Sequence, residues 1–491
     1  MFFAPLNAPS SSPSSPQGAS PAQAFDPASN PRRVAAITRK SNLVLSLKLC
    51  TGEGLAAMPL VLMTQPVNIV LAALFTKVFH LPNHTIGIIS SLPFVCNFLQ
   101  VGITPLLSRW FSAKNIAMVC TGLHLLSWTF FCIMLGLLPT DDPAKAGLWI
   151  GSWFFVSSAC ASIIGVSWNA WVQEWVPSRL RGKYFGRRNR LLQFSTLGFL
   201  ILAGWVLATW NYTRASFQLI VAFAVLLRVL SMIWQIRMPT EATAVPHHKA
   251  PPFAEQLTTL RNSQAFIRFI VFGAVWSFTA NLFGPFYHVF MFNELNLSAL
   301  QVGALSVCGA SGAALTMPVW GSLLDRFGNK GVMAVSLLAW QTANIAWCFI
   351  TPANYFWLYP LWLFGGASNA GFFLGMFTLM LKLLPLPARN LALGMNLAIT
   401  SLFAAIAPIL GGVLLEHFFK NNRSLDVYHL SFIFQPLLAL PTAWLLLRIR
   451  EPAASPLTHV VGAMSNVRTL ASLSGLSFLS NYLFYRNLKQ K

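Results

Sequence analysis

The sequence predicts an all-α integral membrane protein: twelve transmembrane helices in two six-helix pseudo-symmetric bundles, with both termini in the cytoplasm. The first observation is composition. Of 491 residues, 55% are hydrophobic and 9% are charged, whereas soluble domains carry about 25% charged residues. The second is a series of twelve apolar runs, each near the length that crosses roughly 30 Å of hydrocarbon. The third is a repeat that relates the two halves of the chain.

The apolar runs divide the chain into five segments. Residues 1 to 40 begin with a stretch rich in Pro, Ser and Ala, and we predict a disordered tail because so little apolar surface can be buried. The first span is predicted at about 53 to 78. The remaining boundaries give an amino-terminal bundle at 41 to 238, a linker at 239 to 264, a carboxy-terminal bundle at 265 to 450, and a cytoplasmic tail at 451 to 491 with an interfacial helix over 470 to 484.

The two bundles repeat each other in sequence. A shift of 216 residues aligns Gly87 with Gly303, and a shift of 208 aligns Pro177 with Pro385. Collinear matches of this kind are typical of parallel repeats in membrane transporters. The repeat therefore predicts two halves of similar structure and the same orientation.

Lysine and arginine are distributed unevenly between the loops. If residue 1 is cytoplasmic, the opposite loops hold five of the 33 basic residues, Arg228 lies within a span, and the rest lie on the cytoplasmic side. This bias predicts that both termini are cytoplasmic. A net charge of +21 could also suggest nucleic acid, but the basic residues form no basic-aromatic cluster. No nucleic-acid partner is predicted.

The segment from Gly321 to Lys330 joins two apolar runs through a charged turn. Asp325 and Arg326 end the first run, Gly328 permits the reversal, and Lys330 opens the second run. The segment resembles the Gly-x-x-x-Asp-Arg-x-Gly-x-Lys/Arg signature of the major facilitator superfamily. The resemblance implies a monomeric secondary transporter of the cell membrane that moves a small solute by alternating access, with these five residues in a conformational gate.

A second basic loop follows the fourth span and contains Arg181, Arg187 and Arg188. It resembles the Pro-x-x-x-Arg-Gly-x-x-x-Gly loop of many bacterial facilitator proteins. One interpretation is a loop that sets topology and contacts lipid headgroups, and another is a gate between the two halves. The family's pseudo-symmetry implies that Asp325 faces this loop. We therefore expect Asp325 to act as a latch that stabilises the state closed to the cytoplasm.

Charged residues inside the spans are candidates for function. Arg228 is predicted near the bilayer centre, where it needs a partner, and Glu53 is favoured because a glycine on either side leaves room for an approaching side chain. The pair has a structural interpretation and a second one in which Glu53 carries a coupling proton. A third interpretation has Arg228 attract an anionic substrate. Glu174 and its repeat counterpart Lys382 have opposite charges, and the two interpretations are a bridge between the halves and separate charges at the membrane interface.

Family architecture implies that polar and aromatic residues of spans 1, 4, 7 and 10 line a substrate cavity. For any single residue, a hydrogen bond between helices is the alternative interpretation. Gln65-Pro66 and Gly284-Pro285 occupy corresponding places in the two halves and predict interrupted helices beside a transport site. The cavity candidates are Gln65, Asn68, Trp168, Asn169, Trp171, Asn281, His288, Asn369 and Phe373.

The function predicted from these features is secondary transport of a small molecule, with protons as a candidate coupling ion. The alternatives are a membrane-embedded transferase and a non-transporting receptor or scaffold related to transporters. The sequence contains no nucleotide-binding loop and no His/Cys cluster with metal-ligand spacing. We predict no cofactor and no metal site, and the sequence does not identify the substrate.

Overall fold

The computed structural model describes residues 31–65, 68–238, 252–420, 422–451 and 455–465. All regular structure within these ranges is helical, and twelve stretches are long and apolar enough to cross a membrane, as predicted. The α-helices are α1 (Pro31–Met63), α2 (Ile69–Ala73), α3 (Asn83–Leu107), α4 (Ala113–Met134), α5 (Pro143–Trp175), α6 (Ser178–Thr209), α7 (Arg214–Arg237), α8 (Phe253–Asn262), α9 (Gln264–Leu282), α10 (Phe286–Asn293), α11 (Ala299–Phe327), α12 (Asn329–Asn344), α13 (Leu358–Leu383), α14 (Arg389–Phe419), α15 (Ser424–Leu447) and α16 (Leu457–Ser465). A π-helical turn (Leu74–Val78) extends α2, and 3-10 turns occur at Ile345–Phe349, Tyr355–Trp357 and Leu386–Ala388.

Two predicted boundaries are wrong. The first span begins at Ser41 and ends at Met63, and α1 also includes residues 31–40, which were predicted to be disordered. Leu43 and Leu47 pack against a buried cluster around Trp171, so α1 is anchored well before the apolar run begins. In the predicted linker, α8 is helical and its Leu260 is buried in the core of the second half. Residues 1–30, 239–251 and the predicted interfacial helix at 470–484 lie outside the described residues.

The predicted interruptions occur in both halves. Asn68 stabilises the first one: its side chain accepts a hydrogen bond from Leu71 N (2.8 Å) and donates to the carbonyl oxygens of Met63 (3.1 Å) and Gln65 (2.9 Å). These bonds satisfy backbone groups that the broken helix leaves free. The second interruption separates α9 from α10 at 283–285. The short segments beyond the two breaks, α2 with its π turn and α10, pack against each other across the halves.

The two halves meet along two symmetric helix pairs. Helix α3 packs against α14, and its repeat counterpart α11 packs against α6. Glycines bring the backbones together: a Cβ atom on Gly87 would lie 2.2 Å from the Pro408 carbonyl oxygen, and one on Gly412 would lie 2.5 Å from that of Asn83. No larger residue fits at either position without a movement of the backbone.

The structure has two faces, which we name by their loops. The signature face carries the turn at Gly328 and the turn between α3 and α4, and the opposite face carries the turn between α14 and α15. Hydrogen bonds between the halves join residues at the opposite face: Tyr428 donates to Asn83 (3.4 Å), and Ala299 N donates to Tyr212 (2.7 Å).

The opposite face also holds a histidine–carboxylate contact between the halves. His84 and Glu416 are in contact through Nδ1 and Oε2, and among the described residues this is the one contact between a basic and an acidic side chain of different halves. At the signature face, a Cβ on Gly186 or Gly321 would meet no atom within 4 Å. Among the described residues, the polar contacts between the halves lie at the opposite face and none lies at the signature face, which indicates a conformation open at the signature face.

The packing at Gly412 predicts how the opposite face can be opened. Gly412→Val would force α14 away from α3, and overpacking of this kind costs about 1–3 kcal/mol, roughly a tenfold shift between two states. A cysteine placed at the buried position Leu415 should then react faster with a maleimide.

Gly394→Val is the matched control on the same helix, because its Cβ meets the side chain of Val101 at an ordinary 3.6 Å. This variant should leave the reactivity unchanged. Equal reactivity in both variants would show that the glycine contact does not hold the opposite face closed.

Candidate functional site

A cavity of about 500 Å³ lies inside the carboxy-terminal half. It begins at the break between α9 and α10 and is lined by residues of α11, α12, α13 and α15, and its volume suits a small molecule. Its lining residues are Ala280, Gly284, Tyr287, His288, Ser306, Gly309, Ala310, Ala313, Trp340, Asn344, Trp347, Leu361, Trp362, Gly365, Gly366, Asn369 and Gln435.

The lining is aromatic and uncharged. It contains four aromatic rings of Tyr and Trp and no Asp, Glu, Lys or Arg. His288 Nδ1 and Trp362 Nε1 are buried there without a hydrogen-bond partner among the described residues. Buried polar atoms are normally bonded, because an unsatisfied one loses its hydration. Neither atom is accessible to a water-sized probe, so each is an unsatisfied polar atom inside the cavity wall and not a contact offered to a ligand.

Tyr287 is held firmly in the wall of the cavity. Its hydroxyl donates to Gln435 Oε1 at 3.2 Å. Its ring stacks on Phe432 with centroids 4.3 Å apart, and the edge contact with Trp347 has a centroid distance of 4.8 Å. A side chain fixed on three sides keeps its position when a ligand enters. Close packing of Gly309 against Gly366, where a Cβ would lie 1.9 Å from a carbonyl oxygen, brings α11 and α13 together beside it.

A buried cluster of charged residues occupies the amino-terminal half. Glu53 on α1 pairs with Arg228 Nη1 on α7 (3.7 Å) and with Arg188 Nη2 on α6 (3.3 Å). Gln235 and Ser231 donate to the same carboxylate at 2.9 and 3.5 Å. Glu53 and Arg228 are each 3% exposed. The cluster thus connects three helices through charge-assisted hydrogen bonds in a site that excludes water.

Arg188 completes the cluster. It donates to the Cys50 carbonyl oxygen (3.2 Å) and lies over the ring of Trp168, 4.6 Å from its centroid. A Cβ on Gly54 would lie 2.3 Å from the Arg188 guanidinium, so this glycine makes the approach possible. With the carboxylate ionised, two guanidinium groups share one counter-charge, and the cluster has an excess positive charge.

The structure brings Arg228 and Glu53 together, as the sequence analysis expected. Arg188, assigned to the gate, is instead buried in the charge cluster, because α6 turns it toward α1. Arg187, the neighbouring gate candidate, is exposed. Trp168, a cavity candidate, forms the aromatic face under Arg188.

The structure places the predicted cavity residues in different parts of the protein. His288 and Asn369 line the cavity of the carboxy-terminal half, and Phe373 lies nearby in contact with Trp340. Asn68 is the helix cap described above. The others lie elsewhere: Gln65 is exposed at the break, Trp171 is buried under Lys114, Asn169 donates to Gly165 O, and Asn281 donates to Ser277 O.

The predicted bridge between Glu174 and Lys382 is not formed in this conformation. Lys382 pairs with Glu451 Oε1 at 3.3 Å, within the carboxy-terminal half. The sequence analysis missed Glu451, whose carboxylate also accepts from the backbone N–H groups of Asn329 and Lys330 at 2.9–3.0 Å. A carboxylate at a helix amino terminus is favoured by the helix dipole. In the sequence, the clue to Glu451 was that it is an acidic residue close behind the last predicted span.

The gate candidates lie at the signature face. Gly328 ends α11 with φ of 85°, a conformation that favours glycine, and Lys330 donates to Ile449 O at 3.4 Å. Arg181 donates to carbonyl oxygens at the end of α5, and Arg326 lies over Phe327. Asp325 is exposed and forms no ion pair among the described residues.

Twelve spans in two related halves, a small-molecule cavity and a buried charge cluster define a membrane transporter. The sequence profile of the Major Facilitator Superfamily matches residues 54–287 and 274–486. The chain belongs to this family. It is therefore a multi-pass membrane protein of a family of non-enzymatic secondary transporters.

Individual proteins resemble the chain more weakly. Multidrug resistance protein 1 of Bacillus subtilis (strain 168) is 29% identical over 199 residues, which is 40% of this chain and 46% of that protein. The match thus spans less than half the length of that curated relative.

Solved structures show the same fold. A mutant of the nucleoside transporter NupG has a TM-score of 0.63 at 14% identity, covering 82% of this chain and all of that one. The E. coli xylose transporter XylE has a TM-score of 0.58 at 13% identity, covering 83% and 100%. A bacterial homologue of the human lysosomal transporter Spinster has a TM-score of 0.56 at 16% identity, covering 91% and 98%.

The charge balance of the cluster predicts unequal effects of substitution. Glu53→Gln would leave two buried guanidinium groups without a counter-charge, and breaking a buried pair in this way costs about 3–5 kcal/mol. Arg228→Met should cost less, because Arg188 still neutralises Glu53. Thermal unfolding in detergent measures the order of the two effects, with Glu255→Gln at an exposed position as the control.

Equal destabilisation by Glu53→Gln and Arg228→Met would contradict this account. A loss of stability in the Glu255→Gln control would indicate a general effect of removing an acid.

Proposed function

We propose that the cavity in the carboxy-terminal half is the substrate site, and that this transporter carries a small uncharged solute with flat apolar faces. The observation that carries the proposal is the uncharged aromatic lining of the cavity. A charged solute would leave its charge uncompensated in this cavity, at a high cost in free energy. The nucleoside and xylose of two structural neighbours are uncharged ring compounds of this general class.

We further propose that the signature face is cytoplasmic and that both termini lie on this side. The distribution of lysine and arginine supports this orientation. The conformation, open at the signature face, is then inward-facing. The spans carry many exposed apolar side chains. Contact of these side chains with lipid is compatible with a monomer.

Proton coupling is proposed for the charge cluster of the amino-terminal half. Protonation of Glu53 would neutralise the only carboxylate that the described structure places between Arg188 and Arg228. The two like charges would then repel, and the connections among α1, α6 and α7 would weaken. Proton uptake at this site would in this way favour a different arrangement of the helices, which is what coupling requires.

Counterflow into proteoliposomes tests the proposed transport. We expect exchange of tritiated uridine or xylose, and no exchange of the cationic dye ethidium. An inwardly directed pH gradient should drive accumulation by the wild type. Exchange of ethidium alone, or of none of the three, would contradict the proposed solute class, and accumulation without a pH gradient would contradict proton coupling.

We propose that Asp325 is a latch that forms when the signature face closes. In the open conformation it is exposed, as a released latch would be. A charge-assisted contact is worth about 1.5–3 kcal/mol, so Asp325→Asn should shift the equilibrium roughly tenfold toward the open state. Spin labels at the exposed positions Leu180 and Leu386 should report longer distances.

The matched control is Asp426→Asn, which removes an exposed carboxylate in the first turn of α15 at the opposite face. It should leave the distance distribution unchanged. Identical distributions for wild type and Asp325→Asn would remove the latch role.

A further inference from the structure

We propose that Asn369 recognises the solute through the adjacent N–H and C=O groups of a lactam edge, and that the solute is a neutral planar ring that carries such an edge. The inference rests on the proposed function and specifies the solute class of the same cavity. It depends on which polar side chains of the lining are already hydrogen-bonded within the protein and which present both a donor and an acceptor to the cavity.

Asn369 lines the cavity with an unused primary amide. Its side chain is partly exposed, and within the part of the chain that the structure describes the amide forms no hydrogen bond. Neither amide atom is sealed from a water-sized probe, in contrast to Trp362 Nε1. A primary amide offers an N–H₂ donor and a carbonyl acceptor side by side. The Asn369 amide is therefore accessible to a solute and can bond it at two points.

The other two side-chain amides of the lining are already half used. The Asn344 N–H₂ group donates to Gln341 Oε1 at 3.2 Å, and Gln435 Oε1 accepts from the Tyr287 hydroxyl at 3.2 Å. Each of these bonds occupies one side of its amide. The indole N–H groups of the tryptophans in the lining can only donate, so they provide no acceptor for an N–H group of a solute. Asn369 is thus the lining amide that keeps its donor and its acceptor for a ligand.

The surroundings of Asn369 favour a flat ring beside its amide. Gly365 precedes Asn369 by one helical turn on α13, and Phe373 follows it by one turn. A Cβ on Gly365 would lie 3.7 Å from Trp340 Nε1, and the ring centroids of Phe373 and Trp340 are 6.2 Å apart. The Trp340 ring therefore lies alongside the stretch of α13 that carries Asn369. A planar solute can stack on this indole while its edge bonds the amide.

The complement of a primary amide is a group that presents an acceptor and a donor in the reverse order. A lactam supplies both, because its N–H donates to the Asn carbonyl oxygen while its C=O accepts from the N–H₂ group. Asparagine pairs with the edge of adenine through two hydrogen bonds in a similar way. The lining contains no Asp, Glu, Lys or Arg, so a charged ring would be disfavoured. The chemistry of the cavity thus points to neutral lactams and cyclic imides.

2-Quinolone and coumarin are a matched pair of probes. They have the same bicyclic shape and the same carbonyl group, and coumarin has a ring oxygen where 2-quinolone has an N–H. Equilibrium binding of the two tritiated probes to purified full-length protein, measured by scintillation proximity, isolates the contribution of the N–H. We expect the wild type to bind 2-quinolone about tenfold more tightly than coumarin, as one added hydrogen bond would give.

Three variants assign this preference to its source. Asn369→Leu keeps the volume of the side chain and removes the amide, and it should abolish the preference. Asn369→Ala should do the same and provides a second test if the leucine variant does not fold. Ser306→Ala is the matched control, because this hydroxyl lines the same cavity but already donates to Val302 O at 3.2 Å. The control should keep the tenfold preference, and thermal unfolding in detergent shows which variants are folded.

The outcomes separate this inference from the proposed function. If the wild type binds both probes equally, recognition of a lactam edge is refuted. If a folded Asn369 variant keeps the preference, the role of Asn369 is refuted and the transport site stands. If neither probe binds, the lactam class is refuted, and counterflow of uridine or xylose then decides whether the proposed function stands alone or fails with it.

Discussion

The burial of Glu53 between two arginines is the constraint on which the amino-terminal half depends. An ionised carboxylate inside a membrane protein is costly unless it is paired and hydrogen-bonded, and here α6 and α7 must both approach α1 to supply the partners. Gly54 allows one of these approaches, since any side chain there would occupy the space of the Arg188 guanidinium. The position of three helices thus follows from the need to satisfy one charged group.

The carboxy-terminal half has a different polar interior. Among the described residues its one ion pair, Lys382 with Glu451, lies at the signature face, and its interior contains an uncharged cavity. The two halves therefore share a fold but differ in their polar interiors. We infer a division of tasks in which one half binds the solute and the other responds to protons, while the glycine-mediated contacts of α3 with α14 and of α6 with α11 allow the halves to rock against each other.

Much of the fold could be predicted from the sequence because membrane spans are specified by length, apolarity and charge distribution. The interruptions at Gln65-Pro66 and Gly284-Pro285 were also predictable, because the two dipeptides occupy corresponding places in the two halves. A proline alone is not enough, since Pro59 and Pro408 lie inside continuous helices. Glu53 and Arg228 could be paired because few charges lie within spans, so the choice of partners was small.

The sequence analysis missed residues whose role depends on the direction in which their side chains point in the folded structure. Arg188 lies in a run of basic residues, and nothing local distinguishes it from the exposed Arg187. Trp340, Trp347 and Trp362 were not singled out, because 17 tryptophans are spread along the chain and tertiary packing decides which of them enclose a cavity. Glu451 was placed in a tail, yet its carboxylate is bound to the start of α12.

The division of tasks between the halves is tested most directly by comparing binding with transport in one protein, the double variant Glu53→Gln with Arg228→Met. This variant retains the excess positive charge of the cluster, because it removes one acid and one base. For a solute that the wild type accumulates, we predict unchanged equilibrium binding, retained counterflow, and no accumulation driven by a pH gradient. Loss of solute binding in the folded double variant, or accumulation equal to that of the wild type, would contradict the account.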